Sequence, residues 1–168
     1  MKTRITGRVW KYGDDVNTDV IFPGKYTYSI SDPQEMAEHA LEDLDPEFAE
    51  TVEPGDIIVA GKNWGCGSSR EQAVTCLKAA GVGAIVARSF ARIYFRNSIN
   101  QALPIVTCDA VDGVENGDEI TIDFAAGTVT TPGGEYTFPP LAPEVMEILE
   151  DGGLIPHVRK QLGVEQDS

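Results

Sequence analysis

Residues 61 to 73 constrain this chain more than any other stretch; they read Gly-Lys-Asn-Trp-Gly-Cys-Gly-Ser-Ser-Arg-Glu-Gln-Ala. The apolar run Ile57-Ile58-Val59-Ala60 precedes them, and Ala73, Leu77 and Ala80 follow on one helical face. The segment therefore reads as strand, glycine-rich turn and helix start. Glycine lets backbone come close to a ligand. Ser68 and Ser69 fall where a helix would begin, with free backbone N–H groups, and Arg70 adds a planar two-pronged donor suited to a carboxylate. Together these describe an anion site with two hydroxyls beside it. It is not a phosphate loop of either common kind. A P-loop needs Lys then Ser or Thr after its last glycine, and Ser68-Ser69-Arg70 follows Gly67; a dinucleotide loop needs a third glycine that is missing. The plain alternative is a helix cap made by Ser-Ser-Arg-Glu.

At 168 residues the chain is long enough for one domain, residues 1–168, with a full core. No stretch is long enough to span a bilayer. Met1-Lys2-Thr3-Arg4 is not followed by an apolar run, which argues against a secretory signal and points to the cytoplasm. The net charge of −14 disfavours nucleic acid and anionic membranes as partners. Local positive charge at Arg70 must then outweigh the global field if the ligand is an anion. Cys66, Cys76 and Cys108 have no CxxC spacing and there are only two His, so no metal or iron-sulfur ligand set is expected in this chain. Cys66 reads as a small buried residue, and Cys76 and Cys108 as core.

Ile5–Val9 reads as a strand, Tyr12–Asp19 as a loop and residues 22–32 as an exposed loop. Asp32-Pro33 opens an acidic helix with Met36, Ala40, Leu41 and Leu44 toward the core. Glu53–Asp56 is a turn. Two strand–loop–helix units follow: Ile57–Ala60 with helix Glu71–Ala80, then Ala84–Ala87 with helix Phe90–Gln101, leading to Pro104–Thr107. Apolar strands alternating with helices predict an α/β fold with a mostly parallel core sheet and flanking helices. Residues 117–124 and 128–131 read as a hairpin, Tyr136–Phe138 as a further strand, Pro143–Glu150 and Pro156–Leu162 as short helices, and 164–168 as a flexible tail.

The 61–73 segment resembles the Gly-x-Asn-Phe-Gly-Cys-Gly-Ser-Ser-Arg-Glu-His-Ala signature of isopropylmalate dehydratase small subunits, the mobile swivel domain of the aconitase superfamily. Trp64 stands for the usual Phe and Gln72 for the usual His. Asn17-Thr18-Asp19-Val20-Ile21-Phe22-Pro23 resembles the family's Asn-Thr-Asp-x-Ile-x-Pro segment. Ser89 to Asn97, with Asn100 and Leu103-Pro104, resembles its Ser-Phe-Ala-Arg-Ile-Phe-x-Arg-Asn…Leu-Pro segment. The matches occur in the family's order and span nearly the whole chain.

The resemblance implies a swivelling β/β/α domain and a hydro-lyase that removes water from a malate-type acid and adds it back at the neighbouring carbon. The Lewis acid for the leaving hydroxyl would be a 4Fe-4S cluster on a separate large subunit, and the substrate a small hydroxy di- or tricarboxylate. Ser68 matches the catalytic serine that acts as base, with no His or Lys nearby in sequence to activate it. Ser69 matches a substrate-contact or supporting position, Arg70 the arginine that grips a carboxylate, and Asp19 an acidic orienting partner. Without the resemblance Asp19 also reads as an Asx-turn residue. Arg92 and Arg96, four apart on a helix, read as structural or interface residues, and Asn97 and Asn100 as loop anchors. In relatives the loop after Asn-Thr-Asp reads the variable group of the substrate. Here it is Lys25-Tyr26-Thr27-Tyr28-Ser29-Ile30, without arginine. Tyr28 and Ile30 would form an apolar wall for an isopropyl group, and Lys25 could reach an extra carboxylate. Isopropylmalate is thus the first expectation; homoaconitase or citramalate/dimethylmalate dehydratase activity, or a non-catalytic anion-binding module, are the alternatives. A partner-facing surface also leaves room for self-association of the isolated chain.

Overall fold

The computed structural model describes residues 3–68 and 70–163. The tail expected at 164–168 lies outside the described residues. One seven-stranded sheet runs β4-β3-β2-β1-β5-β6-β7. Its parallel half comprises β1 (Arg4–Lys11), β2 (Ile57–Ala60), β3 (Ala84–Ala87) and β4 (Ile105–Thr107). Its antiparallel half comprises β5 (Glu119–Asp123), β6 (Thr128–Thr131) and β7 (Gly134–Thr137), and joins on through β1 and β5. Connection length separates the halves. Short turns join β5 to β6 and β6 to β7, whereas helical crossovers join β1 to β2, β2 to β3 and β3 to β4.

Strands β2 and β3 are buried at every residue because both faces are covered. Ile58, Ala60, Ile85 and Ala87 face the helix-side core, with Trp64 and Leu77. Ile57, Val59, Ala84 and Val86 face a second core with Ile120, Ile122 and Val129. The period-two split shows why an unbroken apolar run, not an alternating one, encodes these strands.

The helices are α1 (Thr18–Ile21), α2 (Pro33–Glu38), α3 (Pro46–Thr51), α4 (Gln72–Ala79), α5 (Arg92–Asn100), α6 (Pro143–Glu150) and α7 (Leu154–Gln161). Three expectations need correction. The segment expected as a loop over 12–19 contains the start of α1, capped by Asn17, whose Oδ1 accepts from Val20 N at 2.9 Å. Residues 22–32 are not wholly exposed, since Phe22 is fully buried. The acidic helix stops at Glu38: Leu41 adopts φ +57° and donates its N–H to Ile21 O at 2.9 Å, which leaves Leu44 on the surface. Helix α3 is unanticipated and seats Phe48 in the core.

Ahead of β2, Asp56 is buried, and one of its carboxylate oxygens accepts from Arg8 Nη2 at 3.0 Å, Trp10 Nε1 at 2.9 Å and Glu53 N at 2.9 Å. Burial pushes its pKa up, but the three donors more than offset this and hold it below the usual carboxylate range. This network ties the start of β2 to β1 and so fixes where β2 delivers the glycine-rich loop.

Candidate active site

The three motif segments meet beyond the C-terminal ends of β1, β2 and β3, the edge where ligands bind in open α/β sheets. Gly65 N donates to Val16 O at 2.8 Å and Thr18 N to Cys66 O at 2.8 Å. On the other flank Trp64 N donates to Ser89 O at 3.1 Å and Ala91 N to Trp64 O at 2.9 Å. The glycine-rich loop is thus stitched between the Asn17 and Ser89 segments like a short irregular sheet. Two glycines are required by geometry. Gly65 has φ +80° and lies against the Tyr94 ring, and Gly67 has φ +96°. Trp64 is fully buried, edge-on to Tyr94 with centroids 6.5 Å apart, and supports the loop from beneath as expected.

Ser68 is exposed, and its carbonyl accepts from Thr18 Oγ1 at 2.8 Å. It is not at the helix end, contrary to expectation. Helix α4 begins at Gln72 with Glu71 as its cap, and its first backbone bonds return to Arg70 O and Glu71 O. The Thr18 bond holds Ser68 in the loop instead, so help from the helix terminus does not reach Ser68 directly. Ser69 lies outside the described residues.

Arg70 is largely enclosed, with its side chain 14% exposed. Nη2 donates to Asp19 Oδ1 at 2.6 Å and to Phe22 O at 3.2 Å; Nη1 donates to Thr27 Oγ1 at 3.1 Å. Nε is buried and without a partner among the described residues. A guanidinium has five N–H bonds. Both on Nη2 are committed, so the expected two-pronged grip on a ligand is not set up here; one Nη1 N–H and the buried Nε–H remain. Asp19 neutralises Arg70 while its own side chain is 72% exposed. The pair sets the direction of the Arg70 side chain, and Gly24 leaves the space in which it sits.

Ser68, Arg70, Thr18 and Gly67 line a cavity of about 270 Å³. Arg92, Ile93 and Asn97 from α5 line it too. Sequence reasoning gave Arg92 only a structural or interface role. Its helical spacing to Arg96 suggested an ordinary surface pair, and nothing local signalled that the first turn of α5 faces the serine loop. Lys25, Tyr28 and Ile30 do not line the cavity. Lys25 Nζ lies 5.1 Å from the Tyr26 ring centroid, Tyr28 is fully exposed, and Ile30 packs against the helix-side core. Thr27 connects that loop to the site through Arg70.

The cysteines do not form a ligand set for an iron-sulfur cluster. Cys76 and Cys108 are buried in cores on opposite faces of the sheet, and burial raises both thiol pKa values. Cys66 is half-buried in the loop, not fully buried as expected. Glu147, Asp151 and His157 bring ligand atoms together on other elements, a grouping that the sequence did not reveal. The Asp151 oxygens are already held by His157 Nδ1 at 2.7 Å and Lys160 Nζ at 3.1 Å. Among the described residues no helix is long and apolar enough to cross a membrane.

The site at this strand edge is thus built from the Asn17–Asp19 segment, the glycine-rich loop with Ser68 and Arg70, and the first turn of α5. The sequence pattern of the aconitase C-terminal domain matches residues 17–110. A 3-isopropylmalate dehydratase small subunit of Archaeoglobus fulgidus is 51% identical over 151 residues, covering 89% of this chain and 93% of that protein. The methanogen homoaconitase small subunit of Methanothermobacter thermautotrophicus is 51% identical over 166 residues, covering 96% and 95%. The crystal structure of a 3-isopropylmalate dehydratase chain from Methanocaldococcus jannaschii superposes with a TM-score of 0.90 at 40% identity, over 95% of each chain. The chain therefore belongs to the aconitase C-terminal domain family, within its group of 3-isopropylmalate dehydratase-type small subunits.

Proposed function

We propose that this chain is the small subunit of a two-chain cytoplasmic hydro-lyase that interconverts 2-isopropylmalate and 3-isopropylmalate, by dehydration and rehydration, in leucine biosynthesis. The observation that carries the reading is the convergence of Ser68 and Arg70 on one cavity, held there by Thr18 and Asp19 from the Asn-Thr-Asp segment. Ser68, as its alkoxide, takes the proton from the carbon beside a substrate carboxylate, becomes the neutral hydroxyl, and returns the proton on rehydration. Its carbonyl is fixed by Thr18, so its position is set before substrate arrives. Arg70 supplies positive charge and a remaining Nη1 N–H, with its plane fixed by Asp19, Thr27 and Phe22. Ser69 contacts or supports the substrate beside it.

The group that accepts the leaving hydroxyl is assigned to the large subunit as a 4Fe-4S cluster, because the cysteines here do not converge. The exposed cavity mouth is then closed by that partner, which excludes water. Lys25, Tyr28 and Ile30 read the variable substrate group in the assembled enzyme. Support for this comes from Thr27, which ties the loop to Arg70, and from the full exposure of Tyr28.

The second reading, a homoaconitase small subunit, is favoured by the equal identity to the methanogen relative. Anaerobic turnover with the cluster-loaded large subunit tests both. Preference for isopropylmalate supports the leucine-pathway reading. Preference for homocitrate moves the assignment to the second and gives Lys25 or the partner the extra carboxylate. Complex formation without turnover on any malate-type acid sinks the catalytic reading.

A further inference from the structure

Two arginines in opposite circumstances line the cavity. Arg70 is neutralised by Asp19 and has its Nη2 amino group fully committed. Arg92 lines the same cavity, is exposed, and among the described residues its side chain makes no hydrogen bond, ion pair or ring contact. It also stands in an unfavourable place. It is the first residue of α5, the first turn of α5 carries no acidic residue, and a cation at a helix N-terminus is opposed by the helix dipole. In a chain with 27 acidic and 13 basic residues, a carboxylate partner would have been easy to supply. A cation with no internal partner, on a cavity wall beside a proposed base, is suited to an anion from outside.

Charge balance makes the same point. Among the described residues no acidic one lines the cavity, and the Arg70–Asp19 pair is close to neutral. A hydroxy diacid brings two negative charges. Arg92 provides the uncompensated charge and the free planar fork that Arg70 no longer offers. Resting on the hydro-lyase reading above, we propose that Arg92 is a substrate-binding residue that holds one carboxylate of the diacid, while Arg70 contacts the other through its remaining Nη1 N–H. Ile93, half-exposed on the same turn, then faces the substrate's carbon skeleton.

The test uses the assembled enzyme. For Arg92→Ala, kcat/KM on the acid preferred by the wild type should fall about 10²-fold, mostly through KM. Arg92→Lys should fall between, and added guanidinium should restore part of the Ala variant's rate. Affinity for the large subunit and the thermal midpoint should not change. Unchanged kcat/KM in Arg92→Ala would overturn the proposal. So would a loss explained entirely by weaker subunit association, since Arg92 would then belong to the interface. If the wild-type complex itself turns over no malate-type acid, the hydro-lyase reading fails, and this role with it; an active wild type with an indifferent Arg92→Ala removes this role alone.

Discussion

Arg70 and Asp19, 51 positions apart in sequence, form a 2.6 Å ion pair in which the arginine is enclosed and the carboxylate faces solvent. The pair links the first motif segment to the second. It fixes the guanidinium plane, and it consumes part of the donor capacity that an anion would otherwise use. Function and stability should therefore respond differently to its loss.

In Asp19→Asn the stability cost should stay below about 1 kcal/mol, because one end of the pair lies in water. Turnover should suffer more. With Arg70 no longer held, kcat/KM of the assembled enzyme should drop about 10-fold or more. Thermal melts and steady-state kinetics on the same preparation check this; a large drop in melting temperature with intact kinetics would assign the pair to folding alone.

Ser68→Ala removes only a hydroxyl from an exposed loop position whose carbonyl bond to Thr18 survives. Stability should change by no more than about 0.5 kcal/mol. If Ser68 is the base, turnover should fall about 10²- to 10⁴-fold with subunit affinity unaltered. Full turnover would remove Ser68 from the chemistry.

Gly65→Ala and Gly67→Ala separate two kinds of constraint. Both positions have positive φ, which costs about 1 kcal/mol for alanine. At Gly65 the new methyl also overlaps the Tyr94 ring, whose hydroxyl donates to Ala73 O at 2.9 Å. Overpacking there should bring the total to about 2–4 kcal/mol. At Gly67 the nearest atom is Thr18 Oγ1 at 3.4 Å, so strain alone should apply. Chemical denaturation of both variants measures the gap; equal losses would mean that Tyr94 yields freely.

Asp56 should make the fold sensitive to acid. Its folded pKa lies below its unfolded value near 3.9, so the unfolded state binds the proton more readily. The stabilisation is complete above about pH 4 to 5 and is lost as pH falls through the folded pKa. In Asp56→Asn stability should drop about 1.5–3 kcal/mol at neutral pH, and this part of the acid dependence should vanish. An unchanged acid limb would place the sensitivity elsewhere.

Sequence alone determined the strands Ile57–Ala60 and Ala84–Ala87, the helices behind them and the order of the three motif segments. Each rests on local pattern: unbroken apolar runs, helical spacing, and glycines where the chain must turn. It also marked Ser68, Arg70 and Asp19, through the family resemblance of the segments that carry them. Tertiary structure alone decided what those residues face. Leu41 turns left-handed because its N–H finds Ile21 O, which ends a helix that the apolar spacing had carried on to Leu44. Ser68 sits outside α4 because Thr18, 50 positions away, takes its carbonyl. Arg92 reads as a surface charge until the crossover from β3 brings the first turn of α5 against the serine loop. Hydrogen bonds and cavity walls between distant segments depend on how strands are ordered in the sheet, and a local pattern carries no record of that order.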